Sequence, residues 1–178
     1  MNCPINYSAN YSNCSIREAN IEDAKNVIEY IKNVSDETDF LICGSNERYF
    51  SVKKEKEFLQ NIQNSVFEKM FLCEIDNNIA GICSIEGINK IRIKHRVELA
   101  ITVLKKYWGN KIGEKLIDYA IDYCKLNSIK KIELTVRIDN ERALKLYKKF
   151  NFEIEGEIKN FIFLNGNYYN CYFMGLLL

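Results

Sequence analysis

Glu98-Leu-Ala-Ile-Thr-Val103 followed by Tyr107-Trp-Gly-Asn-Lys-Ile-Gly113 is a strand pattern that passes through a short glycine-bearing loop into a helix. Such a junction suits an anionic ligand. The start of a helix leaves backbone N–H groups unpaired and carries partial positive charge, so phosphate oxygens can be held there by the main chain. Gly109 and Gly113 carry no Cβ, which lets a ligand come close to their backbone.

The helix that follows is expected over residues 111–126, where Ile112, Leu116, Ile117, Ala120, Ile121 and Cys124 share one face. Upstream, residues 91–103 read as one long strand. Residues 71–75 and 79–85 read as two strands joined by Asp76-Asn77-Asn78, a good hairpin turn. Before them, residues 53–67 look helical, with Phe58, Leu59, Ile62 and Val66 at helical spacing. A short strand at 15–18 precedes a helix capped by Asn20 or Asp23 and running to about residue 34. Residues 35–52 are mixed, and residues 1–14 form a polar leader.

Downstream, 131–137 (KIELTVR) is a strand, and Asn140 caps a helix through residue 150. Strands at 152–158 and 168–177 close the chain, with Asn165-Gly166 at a tight turn. The order predicts one α/β domain (α+β in some schemes), with a mixed, mostly antiparallel sheet of about six to seven strands and about four flanking helices. Its bounds are 15–178.

Bulk properties narrow the function. The chain has 178 residues, 47% of them hydrophobic, enough for one domain with a sizeable core. A formal net charge of +1 argues against a dedicated nucleic-acid binder. Seven cysteines at scattered positions form no CxxC pair, and His95 is the single histidine, so the spacing offers no zinc site and no metal is expected. Scattered thiols fit a reducing, cytoplasmic setting. No apolar run approaches the roughly 20 residues that span a membrane, and the first residues lack the apolar segment of a signal peptide.

Three segments resemble the GNAT superfamily of acyl-CoA N-acyltransferases. One is AITVLKKYWGNKIGEKL, similar to the family's pyrophosphate-binding strand, loop and helix. Another is Asn140-Glu-Arg-Ala143 through Leu146-Tyr147-Lys-Lys-Phe-Asn-Phe152, similar to its "N-x-x-A…LY…GF" segment. The weaker third is Ile16-Arg17-Glu-Ala19 with Glu22-Asp23-Ala24. Departures stand beside them. Trp108 occupies the place of the family's Arg or Gln, Lys111 that of its first loop glycine, and Asn151 that of the glycine before Phe152. Asn tolerates a left-handed backbone nearly as well as glycine does.

The resemblance implies acetyl-CoA as cosubstrate and direct attack by an amine, from a small molecule or a peptide. It implies that Ile101, Thr102 and Val103 offer main-chain groups to the pantetheine arm where neighbouring strands splay apart. It assigns Trp108, Gly109, Asn110, Lys111, Ile112 and Gly113 to the diphosphate, with Asn140, Ala143 and Tyr147 completing the cosubstrate site. Tyr147 is the implied general acid that protonates the departing thiolate. Spacing alone would also fit a core tyrosine. Glu98 reads either as the general base or as a solvent-facing strand glutamate, with Glu133 and Glu86 as the other carboxylates in range. A homodimer through sheet edges is compatible with this reading. The rival reading is a CoA-binding sensor on the same scaffold that does not catalyse. A dinucleotide or P-loop enzyme is disfavoured, since no G-x-G-x-x-G or GKS/GKT segment follows a strand.

Overall fold

A computed structural model of the chain describes residues 14–44 and 51–178. Within them lie four α-helices and seven strands. β1 (Cys14–Glu18) leads through a 3-10 turn (Ile21–Asp23) into α1 (Ala24–Glu37), and α2 (Val52–Gln63) follows. Then come β2 (Lys69–Ile75), β3 (Asn78–Gly87), β4 (Arg96–Val103), a 3-10 turn (Lys105–Tyr107) and α3 (Ile112–Leu126). β5 (Lys131–Arg137), α4 (Glu141–Lys149), β6 (Glu153–Leu164) and β7 (Asn167–Leu177) complete the chain. Of the leader expected over 1–14, all but Cys14 lies outside the described residues.

One sheet carries all seven strands in the order β1-β2-β3-β4-β5-β7-β6. Every neighbouring pair is antiparallel except β4 and β5. Strand alternation sends successive side chains to opposite faces. On one face Val97, Leu99, Ile132, Leu134 and Met174 meet Leu116, Ile117 and Ala120 of α3 and Tyr147 of α4. On the other, Met70, Leu72 and Ile82 meet Val27 and Tyr30 of α1 and Leu59 and Ile62 of α2.

Several expected boundaries move. The strand expected over 91–103 starts at Arg96, because residues 91–95 form a turn closed by Ile93 N–H and Lys94 N–H to Lys90 O. Ile91 is 89% exposed and has nothing to pack against. The helix expected over 53–67 stops at Gln63, where Ser65 Oγ takes the N–H groups of Phe67 and Glu68 and competes with further turns. α1 runs three residues past its expected end at Val34, to Glu37. The strand expected over 152–158 extends as β6 to Leu164, with register breaks that include Asn160 at φ +52°.

The end of α4 shows how sequence becomes geometry. Asn151 sits at φ +62°. Its N–H reaches Lys148 O at 3.0 Å, and the N–H of Phe152 reaches back to Tyr147 O at 3.1 Å. These are the two bonds of a Schellman motif, in which the residue after the left-handed position packs on the last turn. Phe152 does so: its ring centroid lies 5.8 Å from that of Tyr147. The motif therefore fixes the tyrosine ring. Asn151→Ala is expected to lose about 1 kcal/mol through left-handed strain, lowering Tm by about 2–4 °C, while Asn151→Gly holds or raises it. Differential scanning calorimetry of the two variants checks this.

Candidate active site

The site is built where β4 and β5 separate. They pair only at Arg96–Lys131, Val97–Ile132 and Glu98–Glu133. Beyond that point β5 stays with β7 as far as the Arg137–Cys171 pair, and β4 stays with β3 as far as Val103–Gly81. The two strands thus follow different partners, and a gap opens between them.

Main-chain polarity along the gap follows from the ladder. Leu104 N–H donates to Ala80 O, which makes Val103–Gly81 a pair without mutual hydrogen bonds. The N–H and C=O of Val103, and by alternation those of Ile101, turn away from β3 toward the gap. Thr102 is turned the other way: its main chain bonds β3, and its hydroxyl meets the Tyr30 hydroxyl at 2.9 Å. Of these three residues, Ile101 and Val103 have main-chain groups facing the gap and Thr102 does not. The Val103 carbonyl is already engaged, accepting from Trp108 Nε1 at 2.8 Å.

At the end of β4, Tyr107 packs against both hydrophobic clusters and anchors the following loop. Asn110 Nδ2 donates to Tyr107 O at 3.1 Å, bracing the loop from within. Gly109 holds φ +83° with open space where a Cβ would stand. Lys111 precedes α3 at φ +57° and gives it no side-chain cap. The helix begins its own ladder with Lys115 N–H to Lys111 O, so the N–H groups of Ile112, Gly113 and Glu114 have no intrahelical acceptor. The Ile112 side chain itself is buried in the core, which leaves only its main chain for a ligand. Gly113 serves packing: a Cβ there would stand 3.0 Å from Leu146 of α4.

α4 starts at Asn140, whose side chain accepts from Ala143 N–H at 3.2 Å. Its Oδ1 is thus a cap, and its amide N–H groups stay available. One face further along, Tyr147 is 7% exposed on the α3/α4 side of the sheet. Its hydroxyl has no hydrogen-bond partner among the described residues, and burial, helped by nearby Cys83, pushes its pKa well above 10.0.

Glu98 lies elsewhere. It is exposed, on the face of β4 shared with Thr102 and Tyr30, at the last register before the strands part. Tyr147 and Glu98 therefore stand on opposite faces of the sheet, related through the gap. Glu86 is directly across from Glu98 on β3 and is also exposed. Glu133, on the other side, is 5% exposed and held between Arg96 and Lys131, the latter at 3.0 Å. Its oxygens are thus taken up by two cations and closed off from the gap.

Two features escaped the sequence reading. Arg137, at the end of β5, is buried between the rings of Phe40 and Tyr169, at 4.7 and 3.8 Å from their centroids. It donates to Asp39 O at 3.0 Å and to both oxygens of Asp139, tying the segment after α1 to the β6–β7 hairpin. Arg142 lies over the Trp108 indole, its Cζ 3.7 Å from the ring centroid. Neither contact has a signature in local spacing.

Comparison with known proteins identifies the family. A model of the Acetyltransferase (GNAT) family matches residues 38–152. The L-amino acid N-acetyltransferase AaaT of Escherichia coli K12 is 33% identical over 107 residues, covering 60% of this chain and 66% of that protein. The spermidine N(1)-acetyltransferase of the same organism is 32% identical over 105 residues, covering 58% of this chain and 55% of that protein. The chain thus spans under two thirds of the length of these two relatives. The crystal structure of a GNAT-family acetyltransferase from Streptococcus pneumoniae superposes with a TM-score of 0.90 at 30% identity, over 93% of this chain and 99% of that one. The parted strands, the glycine-bearing loop ahead of α3 and the matched residues together place this chain in the GNAT family of acetyltransferases.

Proposed function

We propose that the protein is an N-acetyltransferase that moves the acetyl group of acetyl-CoA to a primary amine by direct attack. The gap between β4 and β5, with Tyr147 on one side and Glu98 on the other, carries this reading. The diphosphate binds the loop from Trp108 to Gly113 and the unpaired N–H groups at the start of α3. The pantetheine arm runs along Ile101 and Val103 as an added strand would. Asn140 and Ala143 border it from α4.

A free alkyl amine titrates near about 10.4, so the acceptor arrives protonated and must lose a proton before it attacks. Glu98 takes that proton, directly or through water. The N–H of Val103, facing the gap, stabilises the oxyanion that forms on the thioester carbonyl. The C–N bond forms and the C–S bond breaks as the Tyr147 hydroxyl donates its proton to the leaving sulfur, and the proton shed by the new amide nitrogen passes through water to restore that hydroxyl. Burial keeps that hydroxyl protonated until it is needed. The acceptor is a small-molecule or peptide amine. The adjacent Glu86 and Glu98 carboxylates favour a cationic one. Six described cysteines, none in a disulfide, fit a cytoplasmic setting.

Tyr147→Phe is expected to lower kcat about a hundredfold or more while the Kd for CoA stays within about twofold. Turnover equal to the parent would remove the hydroxyl from the mechanism. Glu98→Gln should reduce kcat/KM at neutral pH by about a hundredfold, and the deficit should shrink toward alkaline pH as the amine loses its own proton. Glu86→Gln serves as the comparison, and an equal loss in both would argue against Glu98 as the base. The raised pKa of Tyr147 also predicts a pH profile that rises and then stays level to at least pH 10. A falling limb below pH 10 that Tyr147→Phe abolishes would show the hydroxyl titrating too early.

A further inference from the structure

Trp108 stands where the family's loop pattern has Arg or Gln, so the loop lacks the side-chain donor normally found there. A guanidinium is nonetheless present above that position, and it comes from another element. Arg142, in the first turn of α4, is laid over the Trp108 indole with Cζ 3.7 Å from the ring centroid. The indole is fixed in turn, because Nε1 donates to Val103 O at 2.8 Å. Arg142 makes no hydrogen bond or ion pair with any described residue. The acids at this end of the molecule are engaged with other cations: Glu141 with Lys145 at 3.5 Å and Glu114 with Lys149 at 2.6 Å.

A surface arginine is usually satisfied by a carboxylate or left to move in water. Here the guanidinium is held by a ring face alone, and burial against its surroundings pulls its pKa below the ordinary value with no acid pulling it back. Trp is the best ring for a cation–π contact, and a guanidinium engaged through its flat face keeps its N–H donors for other partners. Those donors match phosphate oxygens in a bidentate fork. Beside them is a loop whose main chain also offers donors without protein acceptors, at the start of α3.

We propose that Arg142 is a cosubstrate-binding residue that supplies, from α4, the phosphate-binding guanidinium absent from the loop, with Trp108 as its positioning residue. CoA offers two sources of that chemistry, the diphosphate and the 3′-phosphate. The proposal rests on acetyl-CoA being the cosubstrate, but not on the roles of Tyr147 or Glu98.

The test is calorimetric titration of the full chain with CoA and with dephospho-CoA, which lacks the 3′-phosphate. Arg142→Ala is expected to weaken CoA about tenfold or more, equivalent to about 1.4 kcal/mol, and Arg142→Lys to recover only part of that. An equal loss with dephospho-CoA assigns the diphosphate; a loss confined to CoA assigns the 3′-phosphate. Trp108→Leu should weaken CoA in the parent chain and add nothing to Arg142→Ala. Arg142→Ala binding both ligands within about twofold of the parent would overturn the role of Arg142. Trp108→Leu weakening CoA equally in both backgrounds would overturn the positioning role, since the indole would then contact the ligand itself. Absence of CoA binding by the parent chain would instead remove the acetyl-CoA reading.

Discussion

A strand can share a ladder with two neighbours, and the direction of β5 is set by its second one. β7 pairs with it over its whole length, from Lys131–Leu177 to Arg137–Cys171, while β4 shares only three residue pairs with it. Sheets tolerate such a parting poorly, since each abandoned N–H and C=O must find another partner or meet solvent. The loop after β4 answers part of this demand, because the Trp108 indole takes the carbonyl of Val103. The N–H of Val103 and both main-chain groups of Ile101 remain turned to the gap. The proposed chemistry draws on those groups, so the unfilled ladder and the proposed binding surface are one feature seen twice.

Around the gap, parts are held by contacts that look ordinary one at a time. Gly81 has no room for a side chain, since a Cβ would meet Leu116 at 2.9 Å and Ile112 at 3.0 Å. That close approach keeps the start of α3 down against β3. Gly113 does the same for α4 through Leu146. The Schellman motif at Asn151 then presses Phe152 onto Tyr147. Loop, helix start and tyrosine are therefore placed by backbone proximity and one left-handed residue. Among the described residues, hydrogen bonds to the tyrosine hydroxyl take no part.

How much of this was legible in the sequence depends on the range of the interaction concerned. α3 was legible because Leu116, Ile117, Ala120 and Cys124 recur at helical spacing, and the β2–β3 hairpin because Asp76 and Asn77 accept positive φ. The pattern from Asn140 to Phe152 held both the cap and the stop of α4. Residues 91–95 misled because Ile91 and Ile93 alternate with Lys90, Arg92 and Lys94 as a strand would, although β3 ends at Gly87 and leaves them no partner. Alternation correctly grouped Glu98 with Thr102, but it could not say that α1 and α2 cover that face while Tyr147 lies beneath the other. The stacks of Arg137 on Tyr169 and Arg142 on Trp108 join residues 32 and 34 positions apart, a distance at which no local pattern operates.

The placement of Tyr147 and Glu98 on opposite faces has a kinetic corollary. If each reactant enters from its own side, neither doorway is blocked when the other is filled. Such a protein would assemble a ternary complex in either order, and spent thiol could depart while the acylated amine is still seated.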